Sequence, residues 1–233
     1  MRIIRGLLVS SLILVSGCSS KPTEEIVEKT KIEYVNAYEK IDKNDIYDIR
    51  SMEPSMSIDP NDAGDIYSIS EYIAIARVIS IDGGNNINEE TGNFCKPHTY
   101  GKLEILNVYK GDIEEKEIGY IRNGGIITYQ AYYDGLSEGS KRSAPKPDEY
   151  EYSYFKEYQE GDIEIEVGEV YLVYLIKTSV KPGYYSIIGW QGGLRKVRMD
   201  NIDSLREVPS EQIEVYNNKK ECWETLDQVL EVK

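Results

Sequence analysis

The chain has 233 residues, 41 of them acidic against 27 basic, for a net charge of −14. Residues 1–17 hold Arg2 and Arg5 and no acid, so the remainder carries 25 basic residues and a net charge of −16. A surface of that sign repels phosphate backbones and anionic headgroups, which excludes nucleic acid as a partner. Solubility and mutual repulsion account for the acidity without any function in acid binding.

The chain opens with a short basic head, Met1 to Arg5, followed by an uncharged and mostly apolar run from Gly6 to Val15. That run is too short to span a bilayer and fits the central region of an export signal. Leu14-Val15-Ser16-Gly17-Cys18 closes it, with small residues where a peptidase approaches the backbone. This order resembles the lipobox of bacterial lipoproteins. The resemblance implies a diacylglyceryl thioether on Cys18, cleavage before it and acylation, palmitate included, of the new terminus. Two or more acyl chains make anchoring stable where one does not. The expected organisation is a signal peptide over 1–17, a lipid-anchored tether or stalk over 18–65 and a β-barrel domain with a C-terminal helix over 66–233.

Within the tether, Ile26, Thr30, Tyr34, Ala37 and Ile41 recur at helical spacing and predict a weak stalk helix. The stretch RSMEPSMSIDPNDAGD (50–65) reads as a loop and a domain boundary. YIAIARVISI (72–81) alternates, which predicts a strand with Ile73, Ile75, Ile79 and Ile81 on one face, and GGNNINEETGN (83–93) reads as a polar turn. YGKLEILNVYKGD (100–112) is a second strand. Asn123-Gly124 within KEIGYIRNGGIITYQAYY predicts a hairpin. EVYLVYLIKT (169–178) is apolar on both faces and belongs at the centre of a sheet. GYYSIIGW (183–190) and LRKVR (194–198) follow, and Cys222, Trp223, Leu226, Val229 and Leu230 predict a closing helix. Short strands at this spacing, in a chain with 20 Tyr against 2 Phe, give a mainly β fold: a small antiparallel barrel between an N-terminal stalk helix and a C-terminal helix.

The run of YIAIARVISIDG, YGKLEILNVYKGD, IGYIRNGG, GEVYLVYLIKT and GWQGGLRKV (66–198) is similar to uncharacterised surface lipoproteins of Firmicutes. The resemblance implies an OB-like barrel of five strands, a form also seen in netrin-like modules. The chain departs from netrin-like inhibitors in lacking their disulfide framework. These motifs punctuate strands and carry no catalytic residue.

Candidate chemistry is sparse. Cys95 and His98 share a spacing used by metal ligands, but a structural zinc site needs four, with Cys222 a third and a carboxylate the last. Cys95 and Cys222 stay open between free thiols, a disulfide and that incomplete set; a bridge would contribute about 4–5 kcal/mol. Ser143 and Lys146 share the serine–lysine spacing of penicillin-interacting enzymes, yet Pro147 opposes the helix this chemistry needs. DPNDAGD (59–65) matches a calcium loop at Asp59, Asn61 and Gly64 and fails at Ala63 and Ser70. Tyr129, Tyr132, Tyr133, Tyr150, Tyr152, Tyr154 and Tyr158 form the densest aromatic group, read first as cross-strand packing and second as a ligand-binding surface.

No motif assigns a catalytic residue, metal ligand set or cofactor. The leading reading is a non-catalytic binding or envelope-interaction module on the extracytoplasmic face of the cell membrane, held there through a diacylglyceryl cysteine. An envelope protein or a glycan is its expected partner. Two alternatives stand beside it: a wall or glycan hydrolase using paired carboxylates, and an assembly or sensor component docking another envelope protein.

Overall fold

The computed structural model describes residues 32–51, 59, 63–159, 161–198 and 202–230. The expected signal peptide, Cys18 and the first part of the stalk lie outside the described residues. Twelve strands are described in chain order. They are β1 (Val35–Asn36), β2 (Ile46–Ser51), β3 (Tyr72–Ile87), β4 (Phe94–Lys110), β5 (Glu117–Asn123) and β6 (Gly125–Thr128). β7 (Tyr154–Gln159), β8 (Val170–Lys177), β9 (Tyr184–Ile187), β10 (Leu194–Arg198), β11 (Glu214–Asn217) and β12 (Cys222–Thr225) complete them. Short helices α1 (Ala63–Ile69), α2 (Tyr129–Gly135), α3 (Glu138–Lys141), α4 (Trp190–Gly193) and α5 (Leu226–Leu230) sit between or after them. The fold is mainly β, and among the described residues no helix is long and apolar enough to cross a membrane.

Five strands close on themselves. β3 pairs with β4, β4 with β5, β5 with β9, β9 with β8, and β8 returns to β3. All of these pairings are antiparallel except β5–β9. The ring is not a regular barrel: β9 holds each neighbour by three residue pairs, and five register shifts interrupt β3–β4. A second sheet of β2, β7 and β6 stands beside it, with β2 parallel and β6 antiparallel to β7.

β8 shows why the ring forms. It is apolar on both faces and is buried on both. Tyr171, Val173 and Leu175 enter the ring interior with Ala74, Ala76, Val78, Leu103 and Tyr120. Leu172 and Tyr174 face an outer core with Ile66, Ile73, Ile75, Ile213, Val215 and Leu226. Each fully buried aliphatic side chain contributes about 1.5–3 kcal/mol, so both faces need cover. β10, β11, β12 and α5 supply it on the outside. The central position predicted for this strand is what the pairings give.

Four expectations need correction. Ile73, Ile75, Ile79 and Ile81 do not share a face: a bulge between Val78 and Ser80 inserts one residue, so Ile73 and Ile75 face the outer core while Ile81 turns inward. The polar turn is shorter than 83–93, because β3 runs on to Ile87 and Asn88 closes the turn by accepting from the N–H groups of Glu90 and Thr91. Asn123-Gly124 is no hairpin, for β5 stays in the ring while β6 joins the second sheet. Gly124 (φ 83°) and Gly125 (φ 148°) make that change of sheet, and a Cβ on Gly125 would lie 2.5 Å from Thr99 Oγ1.

The closing helix is also much shorter than predicted, only Leu226–Leu230. Cys222 and Trp223 lie on β12, whose turn from β11 is held by Asn217 accepting from the N–H groups of Lys219 and Lys220. Much of the expected stalk helix lies outside the described residues, and residues 32–51 hold no α-helix. Residues 37–40 and 43–45 are single 3₁₀ turns capped by Asn36 and Asp42, and β1 and β2 join the body. Short capping side chains compete with helix here and win.

Candidate functional site

A cleft of about 780 Å³ opens where the ring meets the second sheet. Its walls come from the N-terminal segment (Tyr38, Glu39, Lys43), the ring (Ile81, Thr99, Arg122) and β6, β7 and the segment after β7 (Ile126, Glu157, Tyr158, Asp162). The volume lies within the roughly 300–1,000 Å³ that small-ligand sites occupy.

One wall is a hydroxyl relay. Thr99 Oγ1 donates to the Gly124 carbonyl at 2.9 Å, which commits its proton. Tyr38 must therefore donate to Thr99 Oγ1, 3.0 Å away, and its own oxygen accepts from the Ile126 N–H at 3.2 Å. Burial pushes the Tyr38 phenol up, and the two hydrogen bonds offset this only in part, so the ring stays neutral. The relay pins the N-terminal segment to the point where the chain changes sheets.

The lining beside it is ionic, for Arg122 is the cross-strand partner of Thr99. Arg122 is buried, pairs with Asp162 and donates to the Ile163 carbonyl at 2.5 Å. Asp162 also accepts from the Ile163 N–H at 2.9 Å. Burial raises the Asp162 carboxyl above the usual range despite the guanidinium beside it. Lys156 pairs with Glu164 at 2.5 Å, largely in solvent, where such pairs contribute little. Glu157 is half-buried, and burial pushes its carboxyl up while Lys96 draws it partly back. Tyr158 is 37% exposed, with Lys156 Nζ 5.9 Å from its ring centre.

The seven candidate tyrosines do not form one binding face. Tyr129 stacks on Tyr150 at 3.9 Å and Tyr132 on Phe155 at 3.8 Å, and Tyr152 lies 5.5 Å from both Tyr150 and Tyr47. These rings consolidate α2 and the loop before β7, and Tyr129 donates to the Pro145 carbonyl. Tyr133 meets Lys141 at 5.9 Å, and Tyr154 is half-buried at the start of β7. Of the seven, only Tyr158 lines the cleft.

The remaining candidates are scattered. Cys95, half-buried at the start of β4, and Cys222, exposed on β12, are both free thiols. His98 is buried, its Nδ1 3.2 Å from the Lys96 carbonyl and 3.8 Å from Cys95 Sγ; burial lowers its pKa and burial raises that of the Cys95 thiol. No group of three or more His, Cys, Asp or Glu side chains suited to a metal gathers among the described residues. Ser143 donates to the Ser140 carbonyl at 3.0 Å, just after α3. The Asp59 N–H donates to Asp65 at 2.9 Å, and Asn61 lies outside the described residues.

Sequence reasoning missed Tyr38, Thr99, Arg122, Glu157 and Asp162. One signal pointed their way: Arg122 interrupts the apolar run IGYI just before the paired glycines. Comparison with protein families, curated proteins and solved structures finds no match to the chain.

Proposed function

We propose that this protein is a membrane-anchored extracytoplasmic lipoprotein whose body is a non-catalytic binding module for an envelope ligand. The order of basic head, apolar run, small residues and Cys18 supports the anchor, which places the body on the outer face of the cell membrane. The cleft between the two sheets carries the binding reading: it is ligand-sized, part apolar and part hydroxyl, with an exposed tyrosine at its mouth. The ring supports an OB-type interpretation. Its first strand pairs with the second and fourth, and its third and fifth run parallel, the pairing order of that fold.

Two measurements test this. In a bacterial host that processes lipoproteins, wild type partitions with membranes and Cys18→Ala does not; equal partitioning removes the anchor. Added in excess to isolated envelopes, a chain without the anchor (Cys18→Ala) is retained and the same chain carrying Tyr158→Ala is lost; equal retention removes the cleft as the binding site. Glu157 favours a second reading, hydrolysis by a carboxyl that burial keeps protonated to higher pH. The other buried acid of the cleft, Asp162, is held by Arg122. Turnover of muropeptides or chromogenic glycosides that disappears in Glu157→Gln would favour this over binding.

A further inference from the structure

Four carboxylates line the cleft, and they differ in what neutralises them. Asp162 is held by Arg122 and Glu164 by Lys156, while Glu39 is exposed. Glu157 is half-buried, and among the described residues no cation stands within ion-pair distance of it. Buried acids elsewhere are treated otherwise: Glu104 holds Arg77 at 2.7 Å and Lys116 at 3.3 Å, and Glu224 holds Arg195 at 3.0 Å and Lys220 at 2.9 Å. A carboxylate withdrawn from water without a counter-charge is costly to keep. Lys96 acts on it only from a distance, and Lys156 beside it in the chain is committed to Glu164.

Glu157 reaches the cleft from β7, the central strand of the second sheet. In the second sheet it pairs with Gly125, and a Cβ on Gly124 would stand 3.0 Å from the Glu157 carbonyl oxygen, so the two strands meet there backbone to backbone. Ile81, Ile126 and Ile165 supply apolar surface in the same cleft. Residues 18–233 carry a net charge of −16, which attracts cations from solution.

We propose that the cleft takes a ligand bearing a primary ammonium group, with Glu157 as its counter-ion and the isoleucine surface holding its aliphatic part. This rests on the cleft being the ligand site. Two kinds of molecule bring that chemistry: a peptide with a diamino-acid side chain, and an amino sugar.

Titration calorimetry on the full chain in detergent tests this with four probes. They are a blocked tetrapeptide with one lysine, its Nε-acetyl form, a glucosamine tetramer and its N-acetyl form. At least one amine is expected to bind about tenfold or more tightly than its acetylated partner. Which arm responds identifies the source. Glu157→Gln, shown by its melting curve to be folded, should erase the difference, and the exposed control Glu138→Gln should keep it. Equal binding of amine and acetylated forms, no binding of either amine, or a preference that survives Glu157→Gln overturns the inference. Equal binding of both forms leaves the cleft a ligand site and removes only the ammonium. No binding by any probe, with envelope retention of the anchorless Cys18→Ala chain unchanged by Tyr158→Ala, defeats the cleft itself.

Discussion

Arg122 of β5 and Asp162 of the segment after β7 stand 40 residues apart in the chain and meet as an ion pair whose side chains are 6% and 13% exposed. The pair fastens one wall of the cleft to the ring. Removing one member strands the other in low dielectric, so Arg122→Met should cost about 3–5 kcal/mol in chemical denaturation. Arg122→Met with Asp162→Asn should recover a large part of that loss, since no uncompensated charge remains. Equal losses in the single and double variants would show that the charge pairing is not what holds this wall.

The joint between the sheets depends on one bare backbone position. A Cβ on Gly84 would lie 2.1 Å from the Ile126 carbonyl oxygen, a backbone atom that cannot swing away. Gly84→Ala should therefore cost about 3 kcal/mol or more and loosen the cleft. Gly139, inside α3, has only Ser137 Oγ at 3.8 Å, so Gly139→Ala should change stability by less than about 1 kcal/mol, in the stabilising direction. Thermal melts of both variants check the contrast.

Glu224 predicts a pH dependence of definite sign. Burial pushes its carboxyl up, but Lys220, Asn217 and Arg195 outweigh that and hold it below the ordinary 4.5. A lowered folded-state pKa gives stability that is fully present above the ordinary value and is lost as pH falls through the lower one. Glu224→Gln should be less stable than wild type by about 3 kcal/mol at pH 7, because Arg195 is left buried. The gap should narrow below pH 4.5. A gap that widens on acidification would contradict the assignment.

Two tyrosines should separate packing from binding. Tyr150→Ala removes the stack on Tyr129 and should cost about 2–3 kcal/mol while leaving envelope retention of the folded, anchorless Cys18→Ala chain intact. On the anchorless Cys18→Ala chain, Tyr158→Ala should lower retention by isolated envelopes and change stability by less than about 1 kcal/mol. The reverse pattern would move the binding surface to the aromatic stack.

The sequence revealed what depends on local pattern. β8 reads as a central strand because VYLVYLIK is apolar at every position but the last, and the same burial on two faces appears in the fold. Ile79 shows where pattern stops, since a bulge leaves the composition of a strand untouched and moves every later side chain to the other face. Asn123-Gly124 carries the signature of a hairpin, yet it serves a change of sheet that only the distant β7 makes favourable. The cleft was illegible for the same reason. Tyr38 and Thr99 are 61 residues apart, and nothing near either one announces the other.

The most direct measurement is photo-cross-linking in living cells, with a photoreactive residue at position 158 and a control at exposed position 138. The expected result is an envelope adduct, identified by mass spectrometry, that forms from position 158, not from 138, and disappears when Cys18 is replaced by Ala. Adducts that form equally from both positions, or that persist without Cys18, would contradict an anchored body that binds through this cleft.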